Sequence, residues 1–113
     1  MAAPSTAPPA AALPEIYEAS RLFDGSGGVR RGELPTRAQA EARRQAGLDV
    51  VVCGPDTVAN QLLAADIEAA AGPWTHHLPN LVGTGPRALP HYQQRRKPPR
   101  GHTFHETASN KTS

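Results

Sequence analysis

Helix-like and strand-like patterns of apolar residues alternate along the middle of the chain. The stretch 37–46 consists almost entirely of strong helix formers and is followed by Gly47, a common residue just after a helix. Thr36 and Gln39 have the spacing of a capping box, in which each side chain satisfies a backbone N–H of the other residue. The pattern therefore predicts a helix beginning after Thr36, with the two arginines at 43–44 on its solvated face.

A buried strand and a second helix are predicted next. The run LDVVVC at 48–53 is rich in β-branched residues and is bounded by glycines, which is typical of a buried strand. The stretch 57–71 has helical periodicity, with Asp56 as the N-cap and a Gly-Pro stop after it. Its expected buried stripe comprises Val58, Leu62, Ala65 and Ala69, broadened by Leu63, Ile67 and Ala70.

The two ends of the chain carry weaker patterns. WTHHL at 74–78, ALPHYQ at 88–93 and HTFHE at 102–106 are short extended pieces separated by Gly and Pro, and they predict three strands. The stretch 15–23 has apolar residues near helical spacing and predicts a short helix. It lies between an Ala/Pro-rich stretch and a Gly-rich stretch, both interpreted as flexible.

Together these elements predict an α+β domain, with N-terminal helices around a short strand followed by a small antiparallel sheet. Leu, Ile, Val and Phe make up only 19 of 113 residues, too few for a core that involves the whole chain. We therefore expect a flexible linker with a possible short helix at 1–33, a folded domain at 34–106 and a disordered tail at 107–113.

Composition also excludes several classes of protein. The single Cys53 rules out an internal disulfide framework and a cysteine-based zinc site, and its apolar neighbours predict a buried small hydrophobe. No apolar run reaches the roughly 18 residues of a membrane span, and the N-terminal stretch lacks the pattern of a signal peptide. The turn GPDT at 54–57 carries neither of the Gly-rich nucleotide-binding fingerprints.

All the histidines lie in one basic segment that has five cations and no acidic residue between Glu68 and Glu106. Side chains alternate between the two faces of a strand, so His102 and His105 point to opposite faces, and the adjacent residues His76 and His77 cannot share one. At most about three histidines should therefore converge. The expected set is His91, His102 and one of the pair at 76–77, with His77 taken as the member.

Metal chemistry fits this segment poorly. The HxxH spacing at 102–105 would suit a helix, but residues three apart diverge on a strand, and CxxC and HExxH are absent. A His-Asn-His-like nuclease could use His77, Asn80 and His91, but it lacks the acidic ligand. A zinc deaminase would need a PCxxC element that is missing. We therefore expect neither a metal nor another cofactor.

Metal-free cleavage of RNA fits the same residues better. RNA carries its own nucleophile, the 2′-hydroxyl, so one histidine can act as base and another as acid while a cation stabilises the charged transition state. Exposed cations would also attract the phosphate backbone, and Tyr92 or Trp74 could stack a base. A non-catalytic nucleic-acid-binding module, an adaptor bound by partner proteins, and a basic surface with incidental histidines are the alternatives.

Three motifs in order, TRAQAEARRQAG at 36–47, GPRALPHYQ at 85–93 and GHTFHE at 101–106, resemble the C-terminal toxin domains of bacterial polymorphic (Rhs-type) toxins. The resemblance covers 34–106. Many such domains look like metal-independent ribonucleases of the barnase/colicin/RelE-like class. It implies catalysis by His91 and His102, assisted by Thr103 and by Arg95 or Arg96. With the interpretation of the basic segment, the expected catalytic residues are His91, His102, His77, Thr103 and Arg95. The expected RNA-binding residues are Arg87, Tyr92, Arg96, Lys97 and Arg100.

The resemblance also implies a biological setting. The domain would be the tip of a larger parent chain whose N-terminal regions deliver it, as a secreted effector in bacterial competition, into the cytoplasm of a target cell. The producer would carry a cognate immunity protein. The sequence hypothesis is therefore a toxin-like, metal-independent endoribonuclease that cleaves cellular RNA without a cofactor or a membrane partner.

Overall fold

The computed structural model describes residues 13–78 and 88–112 of the chain. Two helices and six strands form an α+β architecture, in the order β1 Glu15–Arg21, β2 Val29–Arg31, α1 Arg37–Gln45, β3 Val50–Cys53, α2 Thr57–Ala69, β4 Trp74–His77, β5 His91–Gln94 and β6 Thr103–His105. The predicted fold class is confirmed at this level. The sheet is larger than predicted and mixed, with strand order β2-β1-β3-β6-β5-β4.

Both helices begin at the capping residues that the sequence predicts. The Thr36 hydroxyl accepts a hydrogen bond from the backbone N–H of Gln39 at 3.1 Å, and the Gln39 side chain accepts from the N–H of Thr36 at 2.9 Å. For α2, the Asp56 carboxylate accepts from the N–H of Ala59 at 3.1 Å. Each cap satisfies backbone donors that have no partner within the helix, so local sequence is enough to fix these two starts.

The helix predicted at 15–23 is wrong, because Glu15–Arg21 forms strand β1. It pairs antiparallel with β3, placing Ile16 opposite Val52, and also pairs with β2. Strand β3 is buried along its whole length and needs a neighbour on each side to satisfy its backbone groups. The sheet therefore includes residues 15–31, which the sequence interpretation assigned to a flexible linker.

The order of strands depends on one parallel pairing. β3 and β6 run parallel with Val50 opposite Thr103 and Val52 opposite His105, whereas β4, β5 and β6 pair antiparallel as the sequence predicts. The parallel pair was not predicted, and it corrects the expectation of a small, purely antiparallel sheet. Its consequence is that the starts of β3 and β6 lie side by side.

The sheet has a helix face, against which α1 and α2 pack, and an opposite face. Buried apolar residues on the helix face include Ala40, Val50, Val52, Ala64, Ile67 and Tyr92. Those on the opposite face are Ala19, Val29, Val51, Cys53, Leu89 and Phe104. The stripe predicted for α2 is wrong in part, since Val58 and Leu62 are 64% and 63% exposed. That helix instead buries Asn60, Ala64, Ile67 and Glu68.

A buried polar network, rather than apolar packing alone, joins the helices to the sheet. Arg44, expected to be solvated, is fully buried and donates to both carboxylate oxygens of Glu68, at 2.8 and 3.0 Å. Gln94 and Thr103 also donate to that carboxylate, at 2.6 and 2.8 Å. Because every partner is paired, the network links α1, α2, β5 and the start of β6 without leaving a buried charge unpaired.

The two ends of the chain differ from the sequence interpretation or lie outside the described residues. Residues 107–112 contain a turn in which Thr107 and Asn110 exchange hydrogen bonds, and the Thr112 N–H donates to Glu106 at 2.8 Å. This corrects the predicted disordered tail as far as residue 112. The Ala/Pro-rich stretch at 1–12 and residue 113 lie outside the described residues. Among the helices of the described ranges, neither is long and apolar enough to cross a membrane.

Candidate active site

The five histidines divide between the two faces of the sheet. His77 lies opposite His91 in the β4–β5 register, and the centroids of their rings are 5.5 Å apart. The ring of His102, just before β6, contacts His91 at 4.6 Å. We call His77, His91 and His102 the histidine row. The three histidines that were expected to converge therefore lie next to one another on one face of the sheet.

His91, at the centre of the row, is held as a neutral imidazole. Its ring packs edge-on against Phe104 at 5.5 Å, and burial, followed by the nearby charge of His102, lowers the pKa of His91 to about 4. Its Nδ1 lies 3.4 Å from the carbonyl oxygen of Leu89. Because a carbonyl can only accept, this long contact favours a proton on Nδ1 and leaves the lone pair on Nε2. His91 is therefore suited to accept a proton near neutral pH.

Asp49 joins the row although the sequence analysis did not select it. Its Oδ1 accepts a hydrogen bond from the backbone N–H of His102 at 2.7 Å and lies 3.6 Å from the Nδ1 of the same residue, an ion-pair distance. Burial acts to raise the pKa of the Asp49 carboxyl, but contacts with His102 and the charge of Arg21 outweigh burial and lower it. Asp49 is thus an anion held against His102.

The parallel pairing of β3 and β6 explains why Asp49 could not be found from sequence. Asp49 immediately precedes β3, and His102 immediately precedes β6, so their proximity requires that these two starts be adjacent. A polar residue before a buried strand is common and gives no signal by itself. Only knowledge of the strand order would have selected it.

Gly101 is the residue that lets His102 approach Asp49. Its φ is +91°, in the region that favours glycine. A Cβ at this position would lie 2.7 Å from Nη1 of Arg44, 2.8 Å from the carbonyl oxygen of Gly47 and 2.9 Å from Oδ1 of Asp49. Any other residue would push apart the groups that fix the start of β6. The close packing around Gly101 therefore explains why glycine precedes histidine in the GHTF motif.

Arg21 adds a cation beside the row. Its Nε lies 3.5 Å from Oδ2 of Asp49, and the side chain is about half exposed. Arg21 lies within 1–33, the stretch that the sequence predicts to be a flexible linker. Since β1 is a paired strand, Arg21 is instead positioned by the sheet, with its guanidinium at the carboxylate that contacts His102.

Two polar side chains share the face of the row and lie next to it. Thr75 and Gln93 pair across β4 and β5, one register step from the His77–His91 pair, and both are half-buried. Within residues 13–78 and 88–112, neither side chain has an intramolecular hydrogen bond. Their hydroxyl and carboxamide groups are therefore available to a ligand at the row.

The part of the basic segment at 95–102 connects β5 to β6 and carries four exposed cations, namely Arg95, Arg96, Lys97 and Arg100. Arg95 does not lie beside His91 as a catalytic role would require. Its Nε donates to the carbonyl oxygen of Trp74 at 3.0 Å, at the end of the β4–β5 hairpin that is remote from His77 and His91. At its other end the segment runs directly into His102.

Two further residues selected from sequence are unavailable to substrate. Thr103 is fully buried on the helix face, where its hydroxyl donates to Glu68. Tyr92 is 3% exposed and packs edge-on against Trp74 at 4.7 Å, so it belongs to the core and cannot stack a base. The catalytic prediction for Thr103 and the RNA-binding prediction for Tyr92 are therefore wrong. Arg87 and Asn80 lie outside the described residues.

The remaining two histidines form a separate pair on the helix face. The Nε2 atoms of His76 and His105 are 3.0 Å apart, and both rings lie against Tyr92. Burial, followed by the charge of His76, lowers the pKa of His105 to about 4, and burial, followed by the charge of His77, lowers that of His76. One ring donates and the other accepts, so the pair is neutral and structural.

The donor sets of the described residues do not favour a metal. Across 13–78 and 88–112, no group of three or more His, Cys, Asp or Glu side chains is arranged to hold a metal ion. Cys53 is buried as predicted, and burial, followed by the charge of Glu106, raises the pKa of its thiol to about 12. It is therefore neither a thiolate ligand nor a nucleophile near neutral pH.

Comparisons of this chain with protein-family models, with curated proteins and with solved structures found no match.

Proposed function

We propose that the protein is a metal-independent endoribonuclease whose active site is the histidine row with Asp49. The observation that carries the proposal is the convergence of His77, His91 and His102 on one face of the sheet, with a neutral imidazole next to one that contacts a carboxylate. Acid–base cleavage of RNA needs two such groups in different protonation states.

His91 acts as the general base in this mechanism. Its lowered pKa keeps it unprotonated near pH 7, and its Nε2 lone pair removes the proton from a ribose 2′-hydroxyl. The 2′-oxygen then forms a bond to the adjacent phosphorus. His91 must be neutral before the step and carries the proton after it.

His102 acts as the general acid. The bond from phosphorus to the 5′-oxygen breaks as the imidazolium donates its proton to that oxygen, leaving a 2′,3′-cyclic phosphate and a free 5′-hydroxyl. Asp49 lies at the Nδ1 side of the ring and stabilises its positive charge, so the Nε2 proton is available to the leaving group. The reaction conserves protons, because His91 removes one from the 2′-hydroxyl and His102 donates one to the 5′-oxygen.

The extra negative charge of the transition state needs a cation or hydrogen-bond donors nearby. Arg21, at the Asp49 carboxylate, and the half-buried carboxamide of Gln93 supply these at the row. His77, exposed next to His91, is a further donor. The cations of the basic segment attract the phosphate backbone.

The toxin part of the proposal rests on the resemblance carried by the LPHYQ and GHTF motifs. It includes delivery by a larger parent chain into a target-cell cytoplasm and an immunity protein that blocks the site. The roles of His102 and Gly101 at the active site give the GHTF motif a chemical meaning in this proposal. Expression without a protective partner should then arrest bacterial growth, and His91→Ala should relieve the arrest.

The deciding experiment incubates the purified protein with total RNA in excess EDTA. Wild type should cleave RNA and leave cyclic phosphate ends, while His91→Ala and His102→Ala should each reduce the rate by at least 100-fold, the usual range for a general acid or base. His76→Gln, on the other face, is the control and should retain activity. Absence of cleavage by folded wild type would refute the proposal.

A non-catalytic nucleic-acid-binding module is the second candidate, favoured by the four exposed cations at 95–100. This alternative predicts salt-sensitive RNA binding with no cleavage at any divalent-ion concentration. Measuring binding and cleavage on the same RNA separates the two functions, because only the nuclease shortens it.

A further inference from the structure

A cleft lies around Arg95, at the end of the β4–β5 hairpin remote from the His77–His91 pair. It consists of two adjoining pockets of about 470 and 530 Å³ that share Pro73 and Arg95. We call it the Arg95 cleft, and its main walls are Pro73, Trp74, Arg95, Arg96, Pro98 and Pro99. Either pocket is within the range of volumes that hold a nucleotide-sized ligand.

The guanidinium of Arg95 is fixed in this cleft by the backbone. Its Nε donates to the carbonyl oxygen of Trp74 at 3.0 Å, and the N–H of Arg95 donates to that of Pro73 at 3.1 Å. Within the described ranges no carboxylate pairs with Arg95, and its two Nη groups make no hydrogen bond. A planar guanidinium that is fixed through Nε and leaves both Nη groups open to a ligand is suited to bind phosphate.

The C-terminus of α2, which would repel an anion, is largely neutralised at this place. The carbonyl oxygen of Ala70 accepts from the side chain of Gln45 at 2.9 Å. Those of Glu68 and Gly72 accept from the carboxamide of Gln94 at 3.1 and 3.3 Å. These bonds occupy carbonyls at the end of α2 and so reduce the negative potential that this helix end presents to the cleft.

The cleft is near the row but is not part of it. Three register steps separate the Trp74–Gln94 pair from the His77–His91 pair, which corresponds to about 10 Å along a strand. The basic segment bridges the two places, with Arg95 and Arg96 at the cleft and Arg100 two residues before His102. The row lies on the opposite face, whereas Trp74 and the end of α2 place the cleft on the helix-face side, so an RNA strand that follows these cations passes around the end of β5.

From this geometry we infer that the Arg95 cleft is a binding subsite for a nucleotide of single-stranded RNA, a few nucleotides away from the phosphate cleaved at the row. Arg95 and Arg96 bind its phosphate, and its base packs on Trp74 and Pro73. This inference rests on the proposed function in that it takes the histidine row as the site of RNA cleavage. Binding of RNA at the cleft does not itself require cleavage. It gives Arg95 a role in substrate affinity in place of the catalytic role predicted from sequence.

Trp74 provides a direct readout, because it is the only tryptophan in the chain and lines the cleft. A 2′-O-methylated oligoribonucleotide of about ten residues, which lacks the attacking hydroxyl, should change the fluorescence of Trp74 saturably. Arg95→Gln and Arg96→Gln, each removing an anion contact, should weaken this binding by about tenfold or more. Arg30→Gln, an exposed arginine on β2 at the other edge of the sheet, is the control.

Cleavage kinetics separate a subsite from a catalytic residue. With a long RNA, Arg95→Gln should raise KM with little change in kcat, and with a dinucleotide that cannot reach the cleft its kcat/KM should match that of wild type. A fall in dinucleotide cleavage would overturn the subsite, because Arg95 would then act on the reacting phosphate.

The outcomes also distinguish this inference from the proposed function. If wild type binds the methylated RNA at Trp74 but never cleaves unmodified RNA, the subsite stands and the nuclease is refuted. If wild type cleaves RNA while Arg95→Gln and Arg96→Gln bind and cleave as wild type does, the nuclease stands and the subsite is refuted. Unchanged circular dichroism of the variants confirms that each result concerns binding rather than folding.

Discussion

At the scale of single residues, the candidate site depends on a carboxylate brought to a histidine from another part of the chain. Asp49 makes one hydrogen bond to the backbone of His102 and one electrostatic contact to its ring. The first fixes where β6 begins, and the second affects only the charged form of the imidazole. A substitution that keeps the first contact and removes the second can therefore separate structure from chemistry.

Asp49→Asn is that substitution, since the amide oxygen still accepts from the backbone of His102. We expect kcat to fall by roughly tenfold or more. General acid catalysis typically contributes a rate enhancement of about 10²–10⁴-fold, and His102 loses part of it without the carboxylate of Asp49. KM should change little, because the backbone contact to His102 is kept. An unchanged kcat would show that Asp49 only holds the backbone.

The pH dependence of cleavage tests the role of His91 independently. Because burial, followed by the charge of His102, lowers the pKa of His91 to about 4, the base stays unprotonated until the pH falls close to that value. We expect the acid limb of the kcat/KM profile to bend near the lowered His91 pKa of about 4, well below the ordinary histidine pKa of about 6.5. A bend near 6.5 would assign the base to another residue.

The residues of the row could be predicted from sequence, but their partner could not. Alternation along a strand is a local property, and it limits the histidines that can share a face to about three, of which His91 and His102 were chosen. Asp49 required the parallel pairing of β3 and β6, which is a long-range property that no local pattern specifies. The catalytic role of Thr103 is implied only by the resemblance to toxin domains, because alternation along β6 places it on the opposite face from His102, where its hydroxyl donates to Glu68.

At the scale of elements, the sequence predicted those whose ends carry specific caps. Both helix starts were correct because Thr36 and Asp56 act on their own next turn. The helix prediction at 15–23 is wrong because Ile16, Ala19 and Phe23 have helical spacing, whereas in strand β1 Ile16 and Ala19 lie on opposite faces of the sheet. The conformation of β1 is decided by the backbone partners that β3 offers, which is a tertiary effect that overrides local preference.

The Arg44–Glu68 pair should be the most sensitive connection between elements. Glu68→Gln keeps the size of the side chain but leaves the guanidinium of Arg44 buried without an anion, which typically costs 3–5 kcal/mol (about 4) in the free energy of unfolding. The matched control is Glu41→Gln, which removes the exposed partner of Arg37 at 3.2 Å and should cost about 0.5 kcal/mol or less. Urea denaturation of both variants measures the difference, and equal values would contradict the structural role of the network.

At the scale of the whole molecule, stability should depend on pH through histidines that the fold keeps neutral. The pKa values of His91 and His105 are lowered to about 4, and that of His76 is lowered as well. The groups close to His105 are His76, Tyr92, the backbone of Glu106 and, through its charge, His91. In this set the rings disfavour a second positive charge, so the folded state resists protonation where the unfolded chain accepts it.

The sign of the effect follows from linkage. A histidine whose folded pKa is depressed contributes stability that is fully present above the unfolded pKa of about 6.5 and is lost as the pH falls toward the folded value near 4. For the buried His105 the loss is roughly 3 kcal/mol once both states are protonated. The free energy of unfolding, measured in urea, should therefore decrease steadily from pH 7 to pH 4.

Replacing His105 by Leu should flatten that slope, whereas His102→Gln should leave most of it. A slope unchanged by His105→Leu would show that the pair on the helix face does not couple protonation to folding.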